Sequence, residues 1–181
     1  WEVFTMGNEM AKRAGRPEPH DVFLIAQKDA PVRCAKGMRV LPDKTTAQCA
    51  SLDVLLVPGG QGTRREVNNP ALLNWIASVS RDAKWITSVC TGAMLLTAAG
   101  PAKGKRVTTH WAFIETLRAR NEAAEVLSNT RYVQDGNVVT AAGVSAGIDM
   151  ALWLSGQWHG VEFARTVQLG MEYNPAPPYA P

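Results

Sequence analysis

The stretch Trp85-Ile86-Thr87-Ser88-Val89-Cys90-Thr91-Gly92-Ala93-Met94-Leu95-Leu96-Thr97-Ala98-Ala99-Gly100 decides the fold. Its first five residues form a short, mostly apolar run of strand length. Its last part is a small-residue helix that closes at Gly100-Pro101. Only Cys90 separates the strand at residues 85–89 from the helix at residues 91–99, so a strand runs straight into a helix with the cysteine at the corner. A turn this tight lifts one side chain above the sheet, and small neighbours leave room for its strained backbone. The positive end of the following helix favours the anionic thiolate, which is the nucleophilic form of the side chain. An arbitrary free cysteine reads as a small buried hydrophobe. Cys34 and Cys49 keep that reading, because neither sits in such a context.

Working outward, residues 53–57 (DVLLV) are a second buried strand ending in Pro58-Gly59-Gly60. Glycines at a strand end let backbone N–H groups turn toward a neighbouring site, which is how an oxyanion-type pocket is built. Gly59 and Gly60 are therefore candidate donors beside Cys90. His110 follows a short strand at residues 106–109 and is a candidate for the same rim, with a histidine satisfied in a loop as the equal alternative. Thr91 offers both a hydroxyl and a backbone N–H. His20, His159 and Asp149 read as structural, capping or solvated groups.

The remaining pattern alternates. Residues 1–14 carry apolar positions at helical spacing, residues 22–26 read as a buried strand, and residues 32–41 as a hairpin around Lys36-Gly37. Asn69-Pro70 opens a helix as N-cap and first-turn proline. Residues 111–120 read as a helix, and residues 132–134 and 138–141 as a hairpin about Asp135-Gly136-Asn137. Residues 145–155 and 161–171 are two closing helices, and the proline-rich residues 174–181 are irregular. Near-continuous apolar strands alternating with helices predict an α/β sandwich, its mostly parallel central sheet covered on both faces. In such sheets ligands gather at the carboxyl ends of the strands, where Cys90 and the glycine pair both fall.

Composition narrows the classes. The 181 residues suit one domain, 46% hydrophobic and 19% charged, as in an ordinary globular protein. Nineteen Lys+Arg against sixteen Asp+Glu leave +3, too small and too scattered for a nucleic-acid footprint. No apolar stretch approaches the ~20 residues of a membrane span, and no signal-like segment opens the sequence. Three cysteines without a CxxC spacing indicate neither a disulfide framework nor a zinc site, so a reducing, cytoplasmic setting is expected.

The motifs DVLLVPGG (53–60), TSVCTGAMLLTAAG (87–100), GKRVTTHW (104–111), DGNVVTAAGVSAGIDMAL (135–152) and EYNPAPPY (172–179) resemble the ThiJ/PfpI superfamily, relatives of the class I glutamine amidotransferases. The likeness runs over nearly the whole chain. It implies a flavodoxin-like three-layer sandwich, one domain over residues 1–181, a homodimer by analogy, and no metal or organic cofactor. The elbow, the TTHW stretch and the EYxPxPP tail are most similar to the branch that hydrates isonitriles. That likeness implies Cys90 as the nucleophile acting on a small-molecule substrate, with the backbone N–H groups of Gly60 and Thr91 holding the charged species and the water.

In the family an acidic residue stands a few positions ahead of the first helix, in a segment resembling D-x-x-G-P. Here the sequence starts at Trp1, just past the equivalent position, so the family's first strand and its acid are expected to be missing. Glu2 lies on the helix and is not assigned the acid's role. A chain that truly began at Trp1 would show little hydratase activity. Thr91 stands where the protease-like members carry His, and His159-Gly160-Val161-Glu162 lacks the amidotransferase His-x-Glu spacing. Glyoxalase or deglycase chemistry on 2-oxoaldehydes is an alternative. So is the ligand-sensing domain of an AraC-type regulator, or a stand-alone sensor, with redox sensing at Cys90 as a variant.

Overall fold

A computed structural model describes residues 1–179. In chain order the elements are α1 (Glu2–Arg13), β1 (Ile25–Ala26), β2 (Val32–Arg33), β3 (Arg39–Val40), β4 (Lys44–Thr45), β5 (Val54–Val57), α2 (Thr63–Glu66), α3 (Pro70–Val79), β6 (Trp85–Val89) and α4 (Gly92–Ala99). There follow β7 (Arg106–Val107), α5 (Ile114–Ala119), β8 (Glu125–Val126), β9 (Tyr132–Asp135), β10 (Val138–Ala141), α6 (Ser145–His159) and α7 (Val161–Gly170). One-turn 3-10 helices occupy Thr46–Gln48 and Trp111–Phe113. None of the described helices is long and apolar enough to cross a membrane. The chain forms two compact units, one of Phe23–Gly147 and one combining Trp1–Val22 with Ile148–Pro181.

The larger unit is built on a four-stranded sheet in the order β5-β6-β10-β9, with β5, β6 and β10 parallel and β9 antiparallel. The register pairs Val57 with Ser88 and Ala141 with Val89. All three parallel strands therefore end at one edge, and the chain leaves that edge as Pro58-Gly59-Gly60, Cys90-Thr91 and Ala142-Gly143. Helices α3 and α4 pack on each other, and α4 also packs on β5 and β6. Leu55, Ile76, Ile86, Met94, Leu96, Leu117 and Val138 form the core, with Leu96 and Leu117 wholly buried. Full burial of one such side chain contributes roughly 1.5–3 kcal/mol, so α4 is clamped to the sheet by its own apolar face. Asn69 caps α3 by accepting the Leu72 N–H at 3.2 Å, as the Asn-Pro pair predicts.

The smaller unit packs α1 against α7. Asn8 on α1 holds the loop at His20 with two bonds: it accepts the His20 N–H at 2.9 Å and donates to the His20 carbonyl at 2.7 Å. Around this loop Phe4, Trp158 and His159 surround the His20 ring, and Phe163 stacks edge-on to His159. Tyr173 donates to Asp149 at 2.7 Å, which gives Asp149 a packing role within this unit.

Three expectations change. The apolar run at residues 22–26 forms no buried strand: only Ile25–Ala26 pair, in parallel with Lys44–Thr45, and both are half-buried. Polar bonds to Asp43 replace the ladder, since its carboxylate accepts the Leu24 N–H and its N–H donates to the Leu24 carbonyl. The strand expected at residues 106–109 stops at Val107, because Thr108 N–H bonds the Thr140 hydroxyl at 2.8 Å instead of a backbone carbonyl. Helix α6 runs on to His159, four residues past the expected end.

Candidate active site

Cys90 has φ +57, a left-handed conformation that a side chain adopts only under strain of about 1–2 kcal/mol. Three contacts hold it there. Its N–H donates to both Ala141 O (3.0 Å) and Ala142 O (2.9 Å), and its carbonyl accepts the Thr109 hydroxyl at 2.8 Å. The side chain is half-buried. The corner is therefore fixed from the β10 side and from the chain following β7.

The flank toward β5 is made of absent side chains. A Cβ on Gly59 would stand 2.7 Å from the Cys90 Cβ and 2.7 Å from the Thr91 nitrogen, and a Cβ on Gly92 would stand 2.1 Å from the Val57 carbonyl oxygen. Glycine at both places lets the strand end and the helix start approach backbone to backbone, leaving the Thr91 amide and the Cys90 side chain beside an open glycine. Gly60, with φ +126, donates its N–H to the Thr91 hydroxyl at 3.0 Å, so this amide acts on the elbow through Thr91. Thr91 is the N-cap of α4, yet its side chain makes no cap bond, being turned to Gly60. The dipole of α4 is thus directed at the corner without a side-chain acceptor in front of it.

His110 stands one residue past Thr109. Its Nδ1 accepts the Ala112 N–H at 3.2 Å, so Nε2 is the ring nitrogen not used in that bond. The ring lies against the position of Gly143, whose added Cβ would meet His110 Cδ2 at 2.8 Å. A cavity of about 340 Å³ opens here, lined among others by His110, Trp111, Arg131, Gly143 and Ser145. Trp111 and Val144 on its wall are 80% and 81% exposed.

The structure thus gathers Gly59, Gly60 and Thr91 at Cys90. His110 is joined to this corner through Thr109, whose hydroxyl bonds the Cys90 carbonyl, while the cavity beside it is lined by His110 and Gly143 rather than by Cys90. Cys49 is buried, its thiol toward the Ser51 carbonyl at 3.6 Å, and Cys34 sits in the β2–β3 hairpin. Sequence reasoning missed Thr63, Thr109 and Gly143. TTHW and AAGV were visible as motifs, but nothing in them tells which side chain touches Cys90 or His110. Thr63 carries no signal at all. Among the described residues, no group of three His, Cys, Asp or Glu side chains could hold a metal ion.

A mostly parallel sheet with a cysteine held in a strained turn between strand and helix defines an α/β protein with an elbow at the sheet's carboxyl edge. The chain belongs to the DJ-1/PfpI family, whose model matches residues 1–157. It is 41% identical over 158 residues to an isonitrile hydratase of Pseudomonas putida, covering 87% of this chain and 68% of that protein. It is also 33% identical over 143 residues to CdhR, an HTH-type transcriptional regulator of Pseudomonas aeruginosa, covering 78% of this chain but only 41% of the regulator's length. Among solved structures it superposes on a ThiJ/PfpI family protein from Pseudomonas syringae with TM-score 0.83 and 31% identity, over 98% of this chain and 72% of that one. The α/β fold of the family is therefore the fold of this chain.

Proposed function

We propose that this protein is a hydratase that converts isonitriles to N-substituted formamides through Cys90. The observation that carries the reading is the half-buried thiol at φ +57, in front of a helix whose N-cap side chain is turned away. The 41% identity to an isonitrile hydratase supports the substrate class. In the proposed reaction the Cys90 thiolate forms a C–S bond to the terminal isonitrile carbon, and an acid protonates the same carbon, giving the thioimidate R–N=CH–S–Cys. Water adds to that carbon, the nitrogen gains a proton, and the C–S bond breaks. The products are R–NH–CHO and the free thiol, with no electrons gained or lost overall.

In this reading the Thr91 amide, open beside Gly59, and the Thr91 hydroxyl, braced by Gly60, hold the charged intermediates, and His110 borders the space for the R group. The family's acid precedes the first helix, and the test accordingly uses protein expressed from its complete reading frame. Incubation with cyclohexyl isocyanide yields N-cyclohexylformamide, and Cys90→Ser abolishes it. Equal yields from both proteins reject Cys90 as nucleophile. D-lactate from methylglyoxal, without isonitrile turnover, supports the glyoxalase reading. The regulator likeness favours a second reading, a sensor domain. Turnover of neither substrate, with a DNA-binding domain in the same reading frame, supports that one.

A further inference from the structure

We propose that Thr63 is a positioning residue that turns the Thr91 hydroxyl outward as a hydrogen-bond donor to whatever is bound on Cys90; for its catalytic readout this rests on the hydratase reading. Thr63 opens α2 and is 5% exposed, and Thr91 is 3% exposed. The Thr63 hydroxyl lies 2.8 Å from the Gly60 carbonyl and 3.0 Å from the Thr91 hydroxyl. The Thr91 hydroxyl in turn accepts the Gly60 N–H at 3.0 Å and lies 3.2 Å from the Gly60 carbonyl.

A threonine hydroxyl has one proton and two acceptor sites. The Gly60 N–H fills one acceptor site of Thr91. The Thr63 proton has two settings. On the Gly60 carbonyl, at 2.8 Å, it leaves the Thr63 oxygen as a 3.0 Å acceptor for the Thr91 proton. On Thr91 it fills the second acceptor site. Only the second setting takes the Thr63 oxygen away as an acceptor and turns the Thr91 proton off it. In that setting the Thr91 proton's remaining partner in the loop, at 3.2 Å, is longer than a good O–H···O bond. That proton is the one available to an atom gaining negative charge beside the thiolate. The three groups act as a unit, and each bond strengthens the next.

A double-mutant cycle tests this. Thr63→Val is expected to lower kcat for isonitrile hydration about tenfold with KM within about twofold, as loss of one oriented donor does. Thr63→Ser is expected to restore it. In a Thr91→Val background Thr63→Val is expected to cost nothing further. A second readout is independent of the hydratase reading. Acrylamide gains charge on its oxygen as a thiolate adds, whereas iodoacetamide reacts by displacement and gains none. Cys90 labelling by acrylamide is expected to slow in Thr63→Val, non-additively with Thr91→Val, while labelling by iodoacetamide is unchanged. Additive losses in both cycles, tracking a lowered Tm, overturn the proposal. The acrylamide cycle holding while no isonitrile turns over leaves Thr63 in place and removes the hydratase reading.

Discussion

The carbonyl oxygen of Val57 stands 2.1 Å from the point that a Cβ on Gly92 would occupy, so the first residue of α4 rides directly on the last residue of β5. Neither partner is a side chain that can swing aside. Gly92→Ala is expected to destabilise at or above the upper end of the roughly 1–3 kcal/mol typical of overpacking. Gly156→Ala, whose Cβ meets Ala164 at an ordinary 3.6 Å inside α6, is expected to stabilise by up to about 1 kcal/mol. Urea midpoints of the two variants check the opposite signs.

Cys90 stores backbone strain that glycine does not feel. Cys90→Ala and Cys90→Gly both remove the thiol, but only glycine relaxes at φ +57. Denaturant unfolding is expected to find Cys90→Gly more stable than Cys90→Ala by about 1 kcal/mol. Equal stabilities would mean that the corner is not strained.

His110 is seated against a missing side chain. Gly143→Ala puts a Cβ 2.8 Å from its Cδ2, so the ring must shift within a cavity that both residues line. Under the proposed reaction KM for bulky isonitriles is expected to rise several-fold, by about 1 kcal/mol of lost binding, with kcat for the smallest isonitrile unchanged. An unchanged KM across the series removes His110 from the wall of the substrate space.

Acid sensitivity is expected from the smaller unit. Burial pushes the His20 imidazole down to about 4, the neighbouring His159 adding to the effect, and burial lowers His159 as well. The Nε2 of His20 is buried without a hydrogen-bond partner among the described residues. Since the folded values lie below the unfolded value of 6.5, the unfolded chain binds more protons in between. The neutral histidines' contribution is full above about pH 6.5 and is lost as the pH falls toward about 4. Glu66, held below its ordinary 4.5 chiefly by the Asn69 hydrogen bond, with burial opposing and Arg65 adding to it, begins to lose its share only as the pH falls below about 4.5. Urea midpoints between pH 7.5 and 5 are expected to fall in the native chain and to flatten in His20→Phe; parallel curves contradict the assignment.

The elements legible in the sequence are those whose signal is local. The β5 run is apolar throughout and the β6 and β10 runs mostly so, because both faces of a parallel strand are covered, and the two hairpins announce themselves by Lys36-Gly37 and Asp135-Gly136-Asn137. The run at residues 22–26 is equally apolar, yet its ladder is pre-empted by Asp43, nineteen residues from Leu24, and no local pattern reports that. Helix α2 is too short to show a period. Cys90, Gly59, Gly60 and Thr91 were readable because strand-to-helix corners have a residue signature. Thr63 and Thr109 were not, because their partners are set by strand register rather than by spacing.

The most direct measurement is intact-mass spectrometry of the protein, expressed from its complete reading frame and acid-quenched during turnover of cyclohexyl isocyanide. A transient gain of one whole isonitrile mass, mapped by peptide analysis to Cys90 and absent in Cys90→Ser, is expected. Formamide production without any adduct on Cys90, and undiminished in Cys90→Ser, contradicts the account.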